Sequence, residues 1–238
     1  MANAQCLRYP SRVTEEPYFL SPLREIPDVR AGWIERIPDL PITGDRDQAM
    51  LQLRPAHAAA LSGFAGPSTP CWRAEQVHGN AVAIVPGSPE IIAPDGFPCV
   101  PGADGLITRE ADIVLAIYVA DCGAIWLADR KTRAIGLLHS GKKGTESNIF
   151  QKALEQMAEH FGTRPEDVTA VLGPCIRPPD YDIDFAAEIG HQAEHAGVGN
   201  FIDCGLNTAS DLLRFYSYRK ELGKTGRMMA LIVRDSQP

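Results

Sequence analysis

The stretch Ile113-Val114-Leu115-Ala116-Ile117-Tyr118-Val119-Ala120 is the key to the fold of this chain. It is almost wholly apolar and rich in β-branched and aromatic side chains, with no polar residue at alternate positions. That pattern belongs to a strand covered on both faces. Residues 125–128 and 134–138 repeat the apolar run, with turn residues between them. Connections this short cannot hold helical crossovers, so the expectation is a set of neighbouring antiparallel strands.

Working outward, residues 145–161 carry Phe150, Leu154, Met157 and Phe161 in one apolar stripe, and Gly162 and Pro165 stop it. This spacing predicts a helix. Residues 168–172 read as a strand, 185–196 and 209–222 as helices, and 228–233 as a closing strand. Upstream, 31–37, 81–85 and 105–108 read as short strands and 45–53 as a short helix. Residues 86–104 hold Pro and Gly with little periodicity and read as a long loop. Short strands in hairpin-like runs with helices between them define an α+β fold with mixed sheets, not a regular βαβ repeat. A length of 238 residues favours one domain, 1–238, with a divergent N-terminal portion over about 1–60.

Apolar residues make up 45% of the chain, charged residues 22%, and the net charge is -7. An acidic chain without a basic stripe is a poor partner for nucleic acid, because phosphate contacts need clustered Lys and Arg. No apolar run approaches the roughly 20 residues that span a bilayer, so no membrane partner is expected. The first ten residues carry no apolar block, which argues against a secretory signal and for a cytoplasmic protein. The cysteines, at 6, 71, 99, 122, 175 and 204, form no CxxC pair and are expected to be reduced thiols.

Three residues sit where strands stop. His78 lies in Gln76-Val77-His78-Gly79, Cys122 in Asp121-Cys122-Gly123 and His139 in His139-Ser140-Gly141. Side chains at strand ends before glycine turns can converge on one sheet edge. One thiolate and two imidazoles form a zinc set with an open position, which activates water or polarises a leaving group. Because the three are scattered in sequence, each could equally be a satisfied core residue. Without metal, Cys122 and His139 could also serve as a nucleophile pair.

Gly141-Lys142-Lys143-Gly144-Thr145 opens the predicted helix and is a candidate phosphate or carboxylate cradle, or else a solvated turn. Asp121 could orient a ligand imidazole if the chain turns there, or cap that turn. Arg219 is placed on the last predicted helix, where it could bind an anion or form a surface ion pair. His191-Gln192-Ala193-Glu194-His195 matches an inverted zinc-protease pattern. Phe185, Ala186, Ile189 and Ala193 fill the opposite helix face, so the two histidines belong to a solvated face and the protease reading is set aside.

Six motifs in order carry a family resemblance: Gln76-Val77-His78-Gly79, Ala103-Asp104-Gly105-Leu106-Ile107-Thr108, Val119-Ala120-Asp121-Cys122, Leu138-His139-Ser140-Gly141, Leu172-Gly173-Pro174 with Tyr181, and Phe215-Tyr216-Ser217-Tyr218-Arg219. Together they resemble the YfiH, or laccase-domain, family over roughly two thirds of the chain. The resemblance implies an α+β fold of layered mixed sheets flanked by helices, as in cysteine-hydrolase-like proteins. It also implies one zinc on His78, Cys122 and His139, with copper as the alternative, and catalytic roles for Cys122, His139 and Asp121. The implied activity is purine nucleoside phosphorolysis with adenosine deamination at the same site, and the partners are a nucleoside and phosphate. Candidate substrate and phosphate contacts are Gln76, Lys142, Lys143 and Arg219. Alternatives are a Cys/His or metal-assisted amidase, as in peptidoglycan precursor editing, a polyphenol oxidase, or a non-catalytic binder on the same scaffold. Laccase chemistry needs more histidines than the six present. Two departures stand out: Lys142-Lys143 replaces the family's usual Trp-Arg, and an N-terminal Arg-x-Gly-Gly stretch is missing. Lysine replaces neither a stacking surface nor a bidentate fork.

Overall fold

The computed structural model describes residues 17–94 and 96–236. Cys6 and the signal reading of the first ten residues lie outside the described residues. In chain order the elements are helix α1 (Ser21–Arg24), strand β1 (Val29–Ile34), helix α2 (Arg46–Ala65), strands β2 (Cys71–Arg73), β3 (Val82–Ile84), β4 (Ile91–Ile92), β5 (Pro98–Cys99), β6 (Gly105–Thr108), β7 (Val114–Val119), β8 (Gly123–Asp129) and β9 (Ile135–Ser140), helices α3 (Lys142–Glu146) and α4 (Ile149–Phe161), strand β10 (Val168–Leu172), helix α5 (Phe185–His195), and strands β11 (Asn200–Asp203) and β12 (Met228–Arg234).

The strands form a four-stranded sheet in the order β1-β12-β7-β2, a six-stranded sheet in the order β11-β10-β8-β9-β6-β3, and the small β4-β5 pair. Both large sheets are mixed: β2 runs parallel to β7, β3 to β6 and β10 to β11, while the remaining ladders are antiparallel.

Alternation along β7 explains why its sequence is apolar throughout. Leu115, Ile117 and Val119 pack with Trp126, Ala128 and Leu137 of the six-stranded sheet. Val114, Ala116 and Tyr118 pack with Met229 and Leu231 and with Leu61 and Phe64 of α2. The far face of the six-stranded sheet, through Ile125, Leu127 and Leu138, meets Phe150, Leu154 and Met157 of α4 and Ile189 of α5. The layers therefore run α2, four-stranded sheet, six-stranded sheet, α4 with α5, an α+β layered fold. Trp126 ties the two sheets together. Its Nε1 donates to the Leu231 carbonyl of β12 at 2.8 Å, and its ring meets Trp33 of β1 with centroids 5.9 Å apart. Truncating a buried aromatic of this kind costs about 3–5 kcal/mol.

Several expectations are corrected. The apolar run at 113–120 does not pair with the strand that follows it. β7 lies between β12 and β2, and the chain crosses to the other sheet at Asp121-Cys122 before β8 begins. The helix expected at 145–161 is two helices, because Asn148 adopts a left-handed φ of 55° and caps α4 through its side chain on Gln151 N. The helix expected at 45–53 runs on to Ala65 through Pro55, which reads as a stop in sequence. Its start is fixed by a reciprocal capping box between Asp45 and Gln48. Residues 209–222 form turns, not a helix. Tertiary ties override local propensity there: Phe215 and Tyr216 are buried, and Arg219 N donates to Asp121. The expected loop at 86–104 carries the short β4-β5 pair, and β2 and the edge strand β11 are too short and too mixed in polarity to show a strand pattern in the sequence.

Candidate metal centre

The crossing between the sheets builds the site. Cys122 follows β7 at the crossover, His139 sits near the end of β9, and His78 lies on the loop between β2 and β3. One ligand atom from each of the three lies within 4.8 Å of the others. The two imidazoles meet edge-on, with centroids 4.9 Å apart and planes at 78°. His139 is buried, Cys122 half-buried and His78 exposed, so the cluster opens to solvent on the His78 side.

Three non-glycine residues here adopt left-handed backbone: Gln76 (φ 66°), His78 (φ 65°) and Asp121 (φ 79°). Such conformations persist only where surroundings over-determine them. Asp104 supplies part of that restraint. It is fully buried, and its carboxylate accepts from His78 N at 2.9 Å, Gly79 N at 2.7 Å and His139 Nδ1 at 2.9 Å. Burial alone would raise the Asp104 pKa; the hydrogen bonds from His139, Gly79 and His78, with the His139 charge, outweigh it and hold the pKa below the usual value. The bond to Nδ1 leaves His139 Nε2 free to face the cluster, the usual orientation of a metal-binding imidazole.

Glycines allow the close approach of the next segment. A Cβ on Gly141 would fall 2.5 Å from Cys122 Sγ, and one on Gly144 would fall 3.3 Å from the Gly79 carbonyl. Helix α3 therefore packs directly on the site. Burial pushes the Cys122 thiol up, but the His139 charge and hydrogen bonds from both histidines bring it down to about 6. For His139, burial opposes protonation, yet the Cys122 charge and the Asp104 hydrogen bond raise it to about 9. The two groups pull on one another: each charge favours the other's charged form.

The other sequence candidates are distributed unevenly. Asp121 does not touch an imidazole: it accepts from Thr208 Oγ1 and Arg219 N, both at 2.7 Å, and so fixes the 208–219 loop. The orienting carboxylate is Asp104, which sat in a quoted motif without a role of its own. Gln76 is buried and not free for substrate. Its Oε1 accepts from Tyr118 N at 2.9 Å and its Nε2 donates to the Tyr118 carbonyl, which braces β7. Lys142 and Lys143 open a helix of only 5 residues, both exposed, with Lys142 3.8 Å from Glu146. Arg219 is exposed, and its guanidinium lies 5.7 Å from the Tyr181 ring.

Arg227, missed in the sequence, lies close enough to the site to feel Cys122 and Asp121. Burial and the neighbouring Arg46 pull its pKa down, against the Cys122 charge. Its guanidinium donates to the carbonyls of Thr225 and Gly226. Arg46, which shares this influence on Arg227, donates to the Glu75 carbonyl.

The family described as "Multi-copper polyphenol oxidoreductase laccase" matches residues 41–187 and 180–235. The chain belongs to this laccase-domain, or YfiH, family. It is 35% identical over 206 residues to a purine nucleoside phosphorylase of Deinococcus radiodurans, covering 74% of each protein. It is 31% identical over 196 residues to the purine nucleoside phosphorylase YlmD of Geobacillus stearothermophilus, covering 67% of this chain and 70% of that one. The crystal structure of YlmD from the same organism superposes with a TM-score of 0.71 at 24% identity, over 89% of this chain and 93% of the other. A hypothetical protein YfiH of Bacillus licheniformis gives 0.69 at 24% identity, over 86% and 92%. These two structures speak to the fold. Among the described residues no helix is long and apolar enough to cross a membrane.

Proposed function

We propose that this chain is a zinc-dependent purine nucleoside phosphorylase, a single-domain enzyme acting on nucleoside and phosphate. The observation that carries the reading is the convergence of His78, Cys122 and His139 within 4.8 Å, with Asp104 behind His139. Relatives named purine nucleoside phosphorylase give the reading its substrate class. The donor set suits zinc with an open position, and the buried Asp104 fits the second layer such a metal needs. Bound there, zinc supplies Lewis-acid polarisation of a substrate oxygen or nitrogen. Two imidazoles and a thiolate also accept copper, and elemental analysis separates the two metals.

In phosphorolysis the C1′–N glycosidic bond breaks, a phosphate oxygen bonds to C1′, and the departing base takes a proton. Arg227, which feels the Cys122 charge, draws the phosphate, with Lys142, Lys143 and Arg219 as further anion contacts at the rim. His78, on the exposed side, faces the incoming nucleoside. Adenosine deamination would use the same cluster, water replacing the C6 amine and ammonia leaving. The test is release of free base from inosine, guanosine, adenosine and methylthioadenosine with and without inorganic phosphate. Base release that needs phosphate and stops on chelation supports the proposal; release independent of phosphate overturns it.

A second reading rests on the Asp104–His139–Cys122 line. A thiol lowered to about 6 beside an imidazole raised to about 9 has the properties of a cysteine nucleophile and its acid partner. That reading predicts hydrolysis of an amide without phosphate and with metal removed. A copper oxidase is the weakest alternative: only one three-ligand cluster exists among the described residues.

A further inference from the structure

The motif set aside in the sequence reading has chemistry of its own. His191 and His195 stand one turn apart on α5, both exposed, with Glu188 one turn before His191. At about 100° per residue the three share one helix face. His191 Nδ1 lies 3.8 Å from Glu188 Oε2, an i,i+3 contact on that face. These residues line a shallow depression of about 590 Å³, closed on the other side by Asn148 and Gln151 at the start of α4. Gln192 lines it too. Its Nε2 donates to the Thr145 carbonyl at 2.9 Å, while its Oε1 is buried with no hydrogen-bond partner.

We propose that His191 and His195 form a second metal site, solvent-facing and separate from the cluster at His78. Two imidazoles at i and i+4 present two nitrogen donors to one ion, and Glu188 adds a carboxylate oxygen. Imidazole donors select a borderline divalent transition metal, zinc, nickel or copper, over calcium or magnesium. In the resting rotamers the three donors are not gathered as tightly as the His78 cluster. His191 and Glu188 are 74% and 56% exposed and free to turn, so this site is the weaker of the two. With the His78 centre proposed above, this chain would carry two metal sites of different strength.

The test titrates tag-free, zinc-loaded protein with Ni²⁺ by calorimetry, in the wild type and in His191→Ala/His195→Ala. The expected result is one Ni²⁺ class in the wild type, weakened about tenfold or more in the double variant, with the zinc content unchanged. Paramagnetic broadening of imidazole resonances in the wild type gives a readout independent of any variant's folding. Loss confined to His191 and His195 supports the site. No Ni²⁺ class in the wild type, equal binding in the double variant, or broadening confined to other histidines overturns it.

Discussion

Asp104 Oδ1 lies 2.9 Å from His139 Nδ1, and the same carboxylate holds the backbone N–H groups of His78 and Gly79. One buried side chain thus sets the orientation of one imidazole and the loop carrying the other.

Asp104→Asn keeps the size but places an N–H₂ among three donors. Metal affinity is expected to fall about 10–100-fold, the usual cost of losing such a partner. Stability falls as well, by about 1–3 kcal/mol for each backbone N–H left unpaired. Competition with a chromophoric zinc chelator measures the first and urea unfolding the second. Wild-type zinc affinity in this variant would remove Asp104 from the metal's support.

His78 and His139 should separate metal binding from folding. His78 is exposed, so His78→Ala removes a ligand with little effect on metal-free stability. His139 is 4% exposed and holds Asp104, so His139→Ala loses both metal and stability. Elemental analysis after dialysis against a weak chelator, which strips a surface site, is expected to give about one zinc in the wild type. Neither variant, nor Cys122→Ala, should retain it. Full zinc in His78→Ala would place the metal elsewhere.

Glu221 gives a pH prediction away from the metal. Burial would raise its pKa, but Arg36, Thr225 and Ser217 N together hold it below the ordinary carboxylate value. A depressed pKa means stability that is present above the unfolded value and lost as pH falls through the folded one. Glu221→Gln should therefore cost about 1–3 kcal/mol at neutral pH, and the difference should shrink in acid. Denaturant midpoints from neutral pH down through the carboxylate range check this; a gap that stays constant would mean the charge is not what Glu221 contributes.

What could be read in the sequence followed burial. The strand β7 was visible because both its faces are covered, and α4 and α5 because each shows one apolar stripe. An apolar run does not encode its neighbour, so the crossing at Asp121-Cys122 was missed and β7 was joined to the wrong strand. The region 209–222 misled because its conformation is held by distant groups, Asp121 and Arg36 among them. His78, Cys122 and His139 were named from strand ends and glycine turns. Asp104 was not, because its partners are a backbone loop and a histidine that only the fold brings beside it. Arg227 went unseen for the same reason.

Gly141 links the site to α3 and offers the most local test. A Cβ there would sit 2.5 Å from Cys122 Sγ, closer than a Cβ approaches a non-bonded heavy atom. Its φ of -107° is ordinary, so alanine is accepted by the backbone and the conflict lies with the sulfur alone. Either the thiol turns away or the start of α3 shifts. Gly141→Ala should therefore fold, with a loss of about 1–3 kcal/mol from overpacking, yet bind zinc far more weakly than the wild type. Zinc-chelator competition and thermal unfolding of the metal-free protein measure the two effects separately. Weak metal binding with a near-normal fold would mean that Cys122 must hold its present position to act as a ligand. Unaltered metal binding in a folded Gly141→Ala would overturn the prediction: the start of α3 would then have given way and left the thiol in place, and Cys122→Ala alone would decide whether the thiol is the third donor.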